Sequence, residues 1–394
     1  MGWTIRPAGV DDVAALITAD WAAFGDRPTE AQIERQRAFM EVDRVWVAED
    51  GARIVGSAGA ISLELTVPGP ATVPTAGVTL VGVMPTHRRQ GILTALMARV
   101  ADDARRRGEP LAALLASETT IYRRFGYGVA VMASTVELER AYAQLRRPPE
   151  IAGRVRILDD AEMAAVLPAI HDRYRRQQPG EVSRPPGWWA RYLVDPEERR
   201  GGAGARFAAV WDGDQGYVAY RVAQDWSAGP PGGTLTVEGV VAHDPEVRAG
   251  LWQYAFGIDL IRLIKAPLPL DDPLRWSLVD SRRLRTTSVT DFLWVSLLDV
   301  EAALSARAYA SDAAVVFDVA GAGRYRLAAG ECRRSDALAD LALDAADLGA
   351  AYLGGVSFAT LARAGLVAEL TAGAVARADA LFAIAPGPAS STGF

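Results

Sequence analysis

The stretch VGVMPTHRRQGILTALM, residues 81–97, decides the reading of this chain. A strand runs into Pro85, a tight basic turn follows, and Gly91 opens an apolar-periodic helix. A helix start leaves four backbone N–H groups unpaired and carries about half a positive charge, so a turn entering it can wrap a phosphate. Arg88 and Arg89 add charge, and Gly91 permits close approach of a phosphate to the backbone. The fit is to a pyrophosphate. It is not a Walker loop, which needs Gly-Lys-Ser/Thr, and not GxGxxG. An arginine-rich turn can also cap a surface helix with no ligand, so the order of elements around it has to decide.

Outward from the turn, the order is informative. WTIRP (3–7) reads as a strand, Asp11-Asp12 as a cap, and VAALITADWAAF (13–24) as an amphipathic helix. DRVWVAED (43–50), RIVGSAGAISLELTV (53–67) and AGVTLVGVMP (76–85) read as consecutive antiparallel strands, broken by Asp50-Gly51 and Pro68-Gly69-Pro70. The helix after Gly91 ends at Gly108; the buried-strand run LAALLAS (111–117), a helical TTIYRRF and the strand VAVMASTVELER follow. Pro148-Pro149 then punctuates the chain, and the pattern restarts. VRILDDAEMAAVLPAIHDRY (155–174) repeats the opening, RFAAVWDGDQGYVAYRVAQDW (206–226) supplies a hairpin, GGTLTVEGVVAHDP (232–245) repeats the strand before the turn, and VRAGLWQYAFGIDLIRL (247–263) repeats the long helix. Repeats of this size mark duplicated domains. After DFLWVSLLDV (291–300) the chain becomes Ala-rich, with short strands and helices. The expected domains are 1–150, 151–297 and 298–394.

Composition bounds the partners. A length of 394 residues allows two or three domains at roughly 150 residues each. The net charge of −6 argues against the basic face that nucleic acid requires. Cys332 is the only cysteine, which excludes a disulfide framework, and His87, His171 and His243 are too few and scattered for a zinc site, so no metal is implied. No run approaches the ~18 apolar residues of a bilayer span, and the start lacks a secretory pattern; a soluble, cytoplasmic protein is expected. Lys265 is the only lysine and asparagine is absent, which reads as codon bias.

The second chemical segment is ASETTIYRRFGYG, residues 116–128. Tyr122, Phe125 and Tyr127 could simply be core aromatics, yet a tyrosine hydroxyl near the end of this strand can also serve as a proton donor.

Arg88-x-x-Gly91 after a strand resembles the coenzyme-A signature of the GNAT acetyltransferase superfamily, which usually has Gly or Ala where Leu93 stands. Taken with SETTIYRRFGYG, RPPGWWARYL (184–193), DFLWVSLLDVEAALSARAY (291–309) and AAYLGGVSFATLARAGLVAEL (350–370), the chain resembles the Eis (enhanced intracellular survival) family of N-acetyltransferases over essentially its whole length. The resemblance implies an α+β chain of two tandem GNAT-like α/β domains, the second degenerate, followed by a sterol-carrier-like α/β domain, assembled as a homohexamer. It implies acetyl transfer from acetyl-CoA to primary amines, notably those of aminoglycosides. The family's coenzyme contacts fall on Val81, Gly82 and Val83, on the turn Arg88, Arg89, Gln90, Gly91, Ile92, Leu93 and Thr94, and on Ser117 with Glu118. Tyr122 takes the place of the proton donor and the carboxylate of Phe394 that of the proton acceptor. An α-carboxyl ionises near pH 3.5, whereas an amine does so near 10, so burial or a water relay has to help it. Phe24, Asp26 and Asp291 fall where family members line a pocket for polycationic substrates, and Gly393 stands where some relatives carry an acidic residue.

The degenerate copy is legible in residues. Where the first copy has PTHRRQGIL, the second has AHDPEVRAGL, and Asp244 and Glu246 would repel a pyrophosphate. Coenzyme A is expected on the first domain alone. Two competing classes are a non-catalytic protein that sequesters a cationic or lipid-like ligand, against which the intact Arg88–Gly91 turn speaks, and an ATP-using ligase or kinase, which lacks both a Walker lysine and a paired-carboxylate magnesium site.

Overall fold

The computed structural model describes residues 2–394 apart from 228, 230 and 231. The first third holds β1 (Trp3–Pro7), α1 (Val13–Ala23), α2 (Glu30–Arg37), β2 (Val45–Asp50), β3 (Arg53–Thr66), β4 (Thr72–Val83), α3 (Ile92–Arg106), β5 (Leu111–Leu114), α4 (Thr119–Tyr122) and β6 (Gly128–Glu139). The middle holds β7 (Val155–Ile157), α5 (Asp160–Arg175), α6 (Pro186–Leu193), β8 (Phe207–Trp211), β9 (Tyr217–Ala223), β10 (Gly233–Val241), α7 (Pro245–Phe256), β11 (Ile261–Pro269), α8 (Leu274–Ser277) and β12 (Arg285–Leu297). The last third holds α9 (Val300–Ala306), β13 (Val315–Ala320), β14 (Gly323–Ala328), β15 (Glu331–Arg334), β16 (Leu341–Asp344), α10 (Ala345–Ala351), α11 (Phe358–Arg363), β17 (Val367–Glu369) and α12 (Ala374–Phe382).

Local chemistry sets most boundaries. Gly91, at φ 84°, turns the chain into α3, and Val100, Leu96, Met97 and Ala104 bury one face of that helix. The expected strand LAALLAS is β5, with all four residues Leu111–Leu114 buried. Asp159 caps α5 through the Glu162 N–H, and Glu162 returns to the Asp159 N–H. Asp12 sits at the N-cap of α1 but does not cap it: its carboxylate takes Arg6 and the Gly9 N–H instead. The polar stretch after α1 contains a helix that apolar periodicity did not indicate, α2, started by the Thr29–Gln32 capping box. The expected long helix of the second copy stops at Phe256; Leu260 adopts φ 64° and Ile261 begins β11, so the helix is shorter than the sequence pattern suggested.

Among the described residues twelve strands form one sheet in the order β1-β2-β3-β4-β5-β12-β6-β11-β10-β9-β8-β7. The two copies exchange their last strands. β12, from the end of the second copy, pairs antiparallel with β5 (Leu111 opposite Leu297, Leu114 opposite Trp294), while β6, from the end of the first, pairs with both β12 and β11. Neither half of the sheet is complete within one continuous segment. The last third forms a five-stranded sheet, β15-β14-β13-β16-β17. Its α10 docks on the exchanged strands through two glycines: a Cβ on Gly128 would lie 1.8 Å from the Ala346 carbonyl oxygen, and one on Gly349 2.3 Å from that of Val295. Only glycine fits at either position. No helix of the described residues is long and apolar enough to cross a membrane.

Candidate active site

β4 and β5 run parallel and pair only over Thr75–Leu111, Ala76–Ala112 and Gly77–Ala113. Beyond Gly77 the two strands part. On its other edge β4 stays paired to β3 as far as Val83–Gly56, with a bulge that places Leu80 at φ 56°. Val81, Gly82 and Val83 therefore line a splay in which the backbone groups of β4 on the β5 side have no strand partner, an arrangement that accepts an extended amide-containing chain. Leu80 is held in its unusual conformation by Ser57, whose hydroxyl donates to the Leu80 carbonyl at 2.9 Å.

The turn from β4 into α3 follows at once. Arg88 and Arg89 are exposed, Arg89 adopts φ 63°, and a Cβ on Gly91 would meet nothing within 4 Å. Gly91 is thus required by conformation rather than by crowding. The first bond along α3 runs from the Ala95 N–H to the Gly91 carbonyl, so the N–H groups of Gly91, Ile92, Leu93 and Thr94 point out of the helix start without helical partners. Arg88 also donates to the Ala23 carbonyl at 2.9 Å, tying the turn to the end of α1.

Across the splay, the chain leaving β5 carries Ser117 and Glu118, both exposed, and then Tyr122, buried in the core of the first copy with Tyr127 and Trp294. Burial raises the Tyr122 hydroxyl above its ordinary pKa, Ser117 opposes this, and the charges of Glu118 and Asp20 add to the rise. The Tyr122 hydroxyl is therefore protonated at neutral pH. Asp20 was not singled out from the sequence. It is 8% exposed on α1, and its Oδ1 would lie 2.7 Å from a Cβ on Gly82.

The expected substrate residues are less gathered. Phe24 is 61% exposed just past α1, and Asp26 is exposed beside it, accepting the Arg27 N–H at 2.7 Å. Asp291 lies on exchanged strand β12 and accepts from the Trp294 indole at 2.6 Å, which links it to the core around Tyr122. Phe394 joins the apolar cluster that contains Phe39, Trp188 and Trp189. The tail is fixed by polar contacts more than by this ring. Glu181, wholly buried, accepts from the Ser391 N–H (2.8 Å), the Ser391 hydroxyl (2.7 Å) and the Thr392 hydroxyl (2.6 Å); Arg184 donates to Thr392 and the Trp188 indole to the Gly393 carbonyl. Burial works against the Glu181 charge, but His171, Arg184 and Thr392 outweigh it and hold the carboxyl low.

In the second copy the corresponding helix start is closed. Asp244 caps α7, accepting from the Glu246 and Val247 N–H groups, and Glu246 pairs with Arg154. The groups that would meet a phosphate are already spent on a carboxylate. The corresponding strand bulge holds Glu238 between Arg206 and Arg221, and the cavity of about 290 Å³ there is lined in part by Ala389, Ser390 and Ser391 of the tail.

Models of acetyltransferase (GNAT) domains match residues 4–130 and 180–297, and a sterol carrier protein domain model matches residues 300–390. The N-acetyltransferase Eis of Mycobacterium tuberculosis is 34% identical over 95% of this chain and 95% of its own length. The chain belongs to the Eis family of GNAT N-acetyltransferases. It is an N-acetyltransferase built of two GNAT domains and a sterol-carrier-like domain. An uncharacterized N-acetyltransferase of Streptomyces avermitilis is 41% identical over 97% of the chain and 99% of that protein. The crystal structure of Eis1 from Mycobacterium abscessus matches with a TM-score of 0.90 at 36% identity, covering 99% of this chain and 100% of that one. A GCN5-related N-acetyltransferase from Anabaena variabilis, at 18% identity and a TM-score of 0.85, shares the fold.

Proposed function

We propose that this enzyme transfers the acetyl group of acetyl-CoA to a primary amine of a cationic substrate, an aminoglycoside, a polyamine or a lysine side chain, by direct attack within a ternary complex. The observation that carries the reading is the splay of β4 from β5, flanked by the open basic start of α3 on one side and Tyr122 on the other. The pyrophosphate belongs on the N–H groups from Gly91 to Thr94 with Arg88 and Arg89, and the extended arm of the coenzyme along Val81–Val83, with Ser117 and Glu118 across from it. Backbone N–H groups near Val83 stabilise the developing oxyanion, and positioning supplies much of the rate. Tyr122 protonates the departing thiolate, and the carboxylate of Phe394 accepts a proton from the nitrogen. Phe24, Asp26 and Asp291 receive the cationic substrate. The working form in this reading is a cytoplasmic homohexamer. Thiol release from acetyl-CoA, followed with spermidine, kanamycin and a lysine peptide in turn, tests the reading: an amine-dependent rate is expected with at least one of them, and acetyl-CoA binding without transfer to any would overturn it.

A further inference from the structure

The active-site corner holds a carboxylate that the proposed chemistry has not used. Asp20 lies on the face of α1 that also buries Val13, Leu16, Ile17 and Ala19, all apolar neighbours. Its Oδ1 is buried and has no hydrogen-bond partner among the described residues. It abuts Gly82, five residues past the last β4–β5 pair, and the absence of a side chain there is what admits it: a Cβ on Gly82 would stand 2.7 Å from Oδ1. Its charge reaches the Tyr122 hydroxyl. A carboxylate left unpaired in an apolar setting is costly, and a group kept at such a cost beside a reaction centre points to use in the reaction.

The surroundings leave the charge of Asp20 uncompensated. β4 has no titratable residue from Val78 to Val83, and β3 has only Arg53 and Glu64, at its two ends. Tyr122 feels the Asp20 charge together with that of Glu118, Arg88 directs its guanidinium to the Ala23 carbonyl, and α2, packed on α1, carries Glu30, Glu34, Arg35 and Arg37, of which Arg35 pairs with Glu198 and Arg37 with Glu34. Burial pushes the Asp20 carboxyl up to about 6, which makes it a far better proton acceptor near neutral pH than an ordinary chain terminus.

Resting on the acetyltransferase reading above, we infer that Asp20 is a catalytic proton acceptor, taking the first proton from the ammonium of the acceptor before attack. Two protons leave that nitrogen, one before attack and one as the C–N bond becomes an amide. Asp20 takes the first and releases it to solvent. As the C–S bond breaks, Tyr122 gives its proton to the thiolate. The carboxylate of Phe394 takes the second proton and returns it to the Tyr122 phenolate, so the net release is one proton per turnover.

The test is Asp20→Asn, assayed with whichever of spermidine, kanamycin and the lysine peptide the wild type acetylates fastest. The expected results are a fall in kcat of roughly 100-fold, unchanged acetyl-CoA affinity by calorimetry, and loss of the acidic limb of the kcat/KM pH profile near pH 6. Deleting Phe394 should slow turnover yet keep that limb. Full turnover with the limb intact in the Asn variant would overturn the assignment while leaving acetyl transfer standing. Should the Asn variant fail to bind acetyl-CoA, Asp20→Ala with added formate decides: partial rescue supports the role and no rescue rejects it. A wild type that binds acetyl-CoA and acetylates none of the three amines rejects the function itself, and Asp20's part with it.

Discussion

Tyr122 is packed as a core residue and is also the proton donor of the proposed reaction. Its ring packs edge-on to Tyr127, with centroids 6.3 Å apart, within the cluster that covers α3. Its hydroxyl, kept protonated by burial, faces the chain leaving β5. Tyr122→Phe keeps the ring and removes only the donor, so turnover should fall roughly 10- to 1000-fold while acetyl-CoA affinity and Tm stay close to wild type. Stopped assays beside calorimetry and thermal melts separate these effects, and unchanged turnover would return Tyr122 to a purely packing role. Asp20 gives the complementary prediction for stability. Its folded pKa is raised from 3.8 to about 6 by burial, so the native state holds its proton more tightly than the unfolded chain does. Stability from this group is complete below about pH 4 and is lost as pH rises to 6, a loss on the order of 3 kcal/mol at neutral pH. Asp20→Asn should therefore be at least as stable as wild type at pH 7.5 and gain nothing at pH 4. Denaturant midpoints at the two pH values measure this; a variant equally destabilised at both would mean the carboxylate has a structural partner.

At the scale of elements, two helix starts with the same place in the fold differ in what they offer. α3 presents free N–H groups and two exposed arginines; α7 presents a carboxylate that has consumed them. Isothermal titration should return one coenzyme site per chain. Arg88→Ala with Arg89→Ala should weaken acetyl-CoA at least tenfold, and Asp244→Ala should lower stability by about 1 kcal/mol through loss of its cap without creating a second site. Two sites per chain would refute the contrast. The α3 turn was legible because Pro85, the arginines and Gly91 are local signals, and Asp244 was legible as its negative. α2 escaped because EAQIERQR has no apolar stripe, and its only signal was the Thr29-x-x-Gln32 box. Asp20 escaped because a lone carboxylate at a helical core position carries no pattern; only the closeness of Gly82 and Tyr122 gives it meaning.

At the scale of the molecule, the exchange of β6 and β12 is the feature that local sequence could not announce, since either strand reads the same whichever copy it completes. Its consequence is physical. Residues 1–150 contain the whole basic turn before α3 and Tyr122, yet β5 pairs with β12, a strand about 180 residues further along the chain, with Leu114 opposite Trp294. Without β12, β5 would keep only its three-residue pairing with β4, and Trp294, which packs in the same core as Tyr122, would be missing. The unpaired edge so exposed is a template for aggregation. α10 adds a second constraint, because Gly128 and Gly349 bring the last domain into backbone contact with both exchanged strands, and Arg123, next to Tyr122, pairs with buried Asp347 of that helix. A fragment of residues 1–150 is therefore expected to be insoluble or molten, and addition of residues 151–297 to restore a folded, acetyl-CoA-binding sheet of lower stability than the full chain. The intact chain should unfold with both acetyltransferase domains melting together rather than in two steps. Differential scanning calorimetry and amide exchange of the three lengths decide the matter. A 1–150 fragment that melts cooperatively and binds acetyl-CoA would show that the first copy closes its sheet by itself, with β6 falling back beside β5 into the place that β12 holds in the full chain.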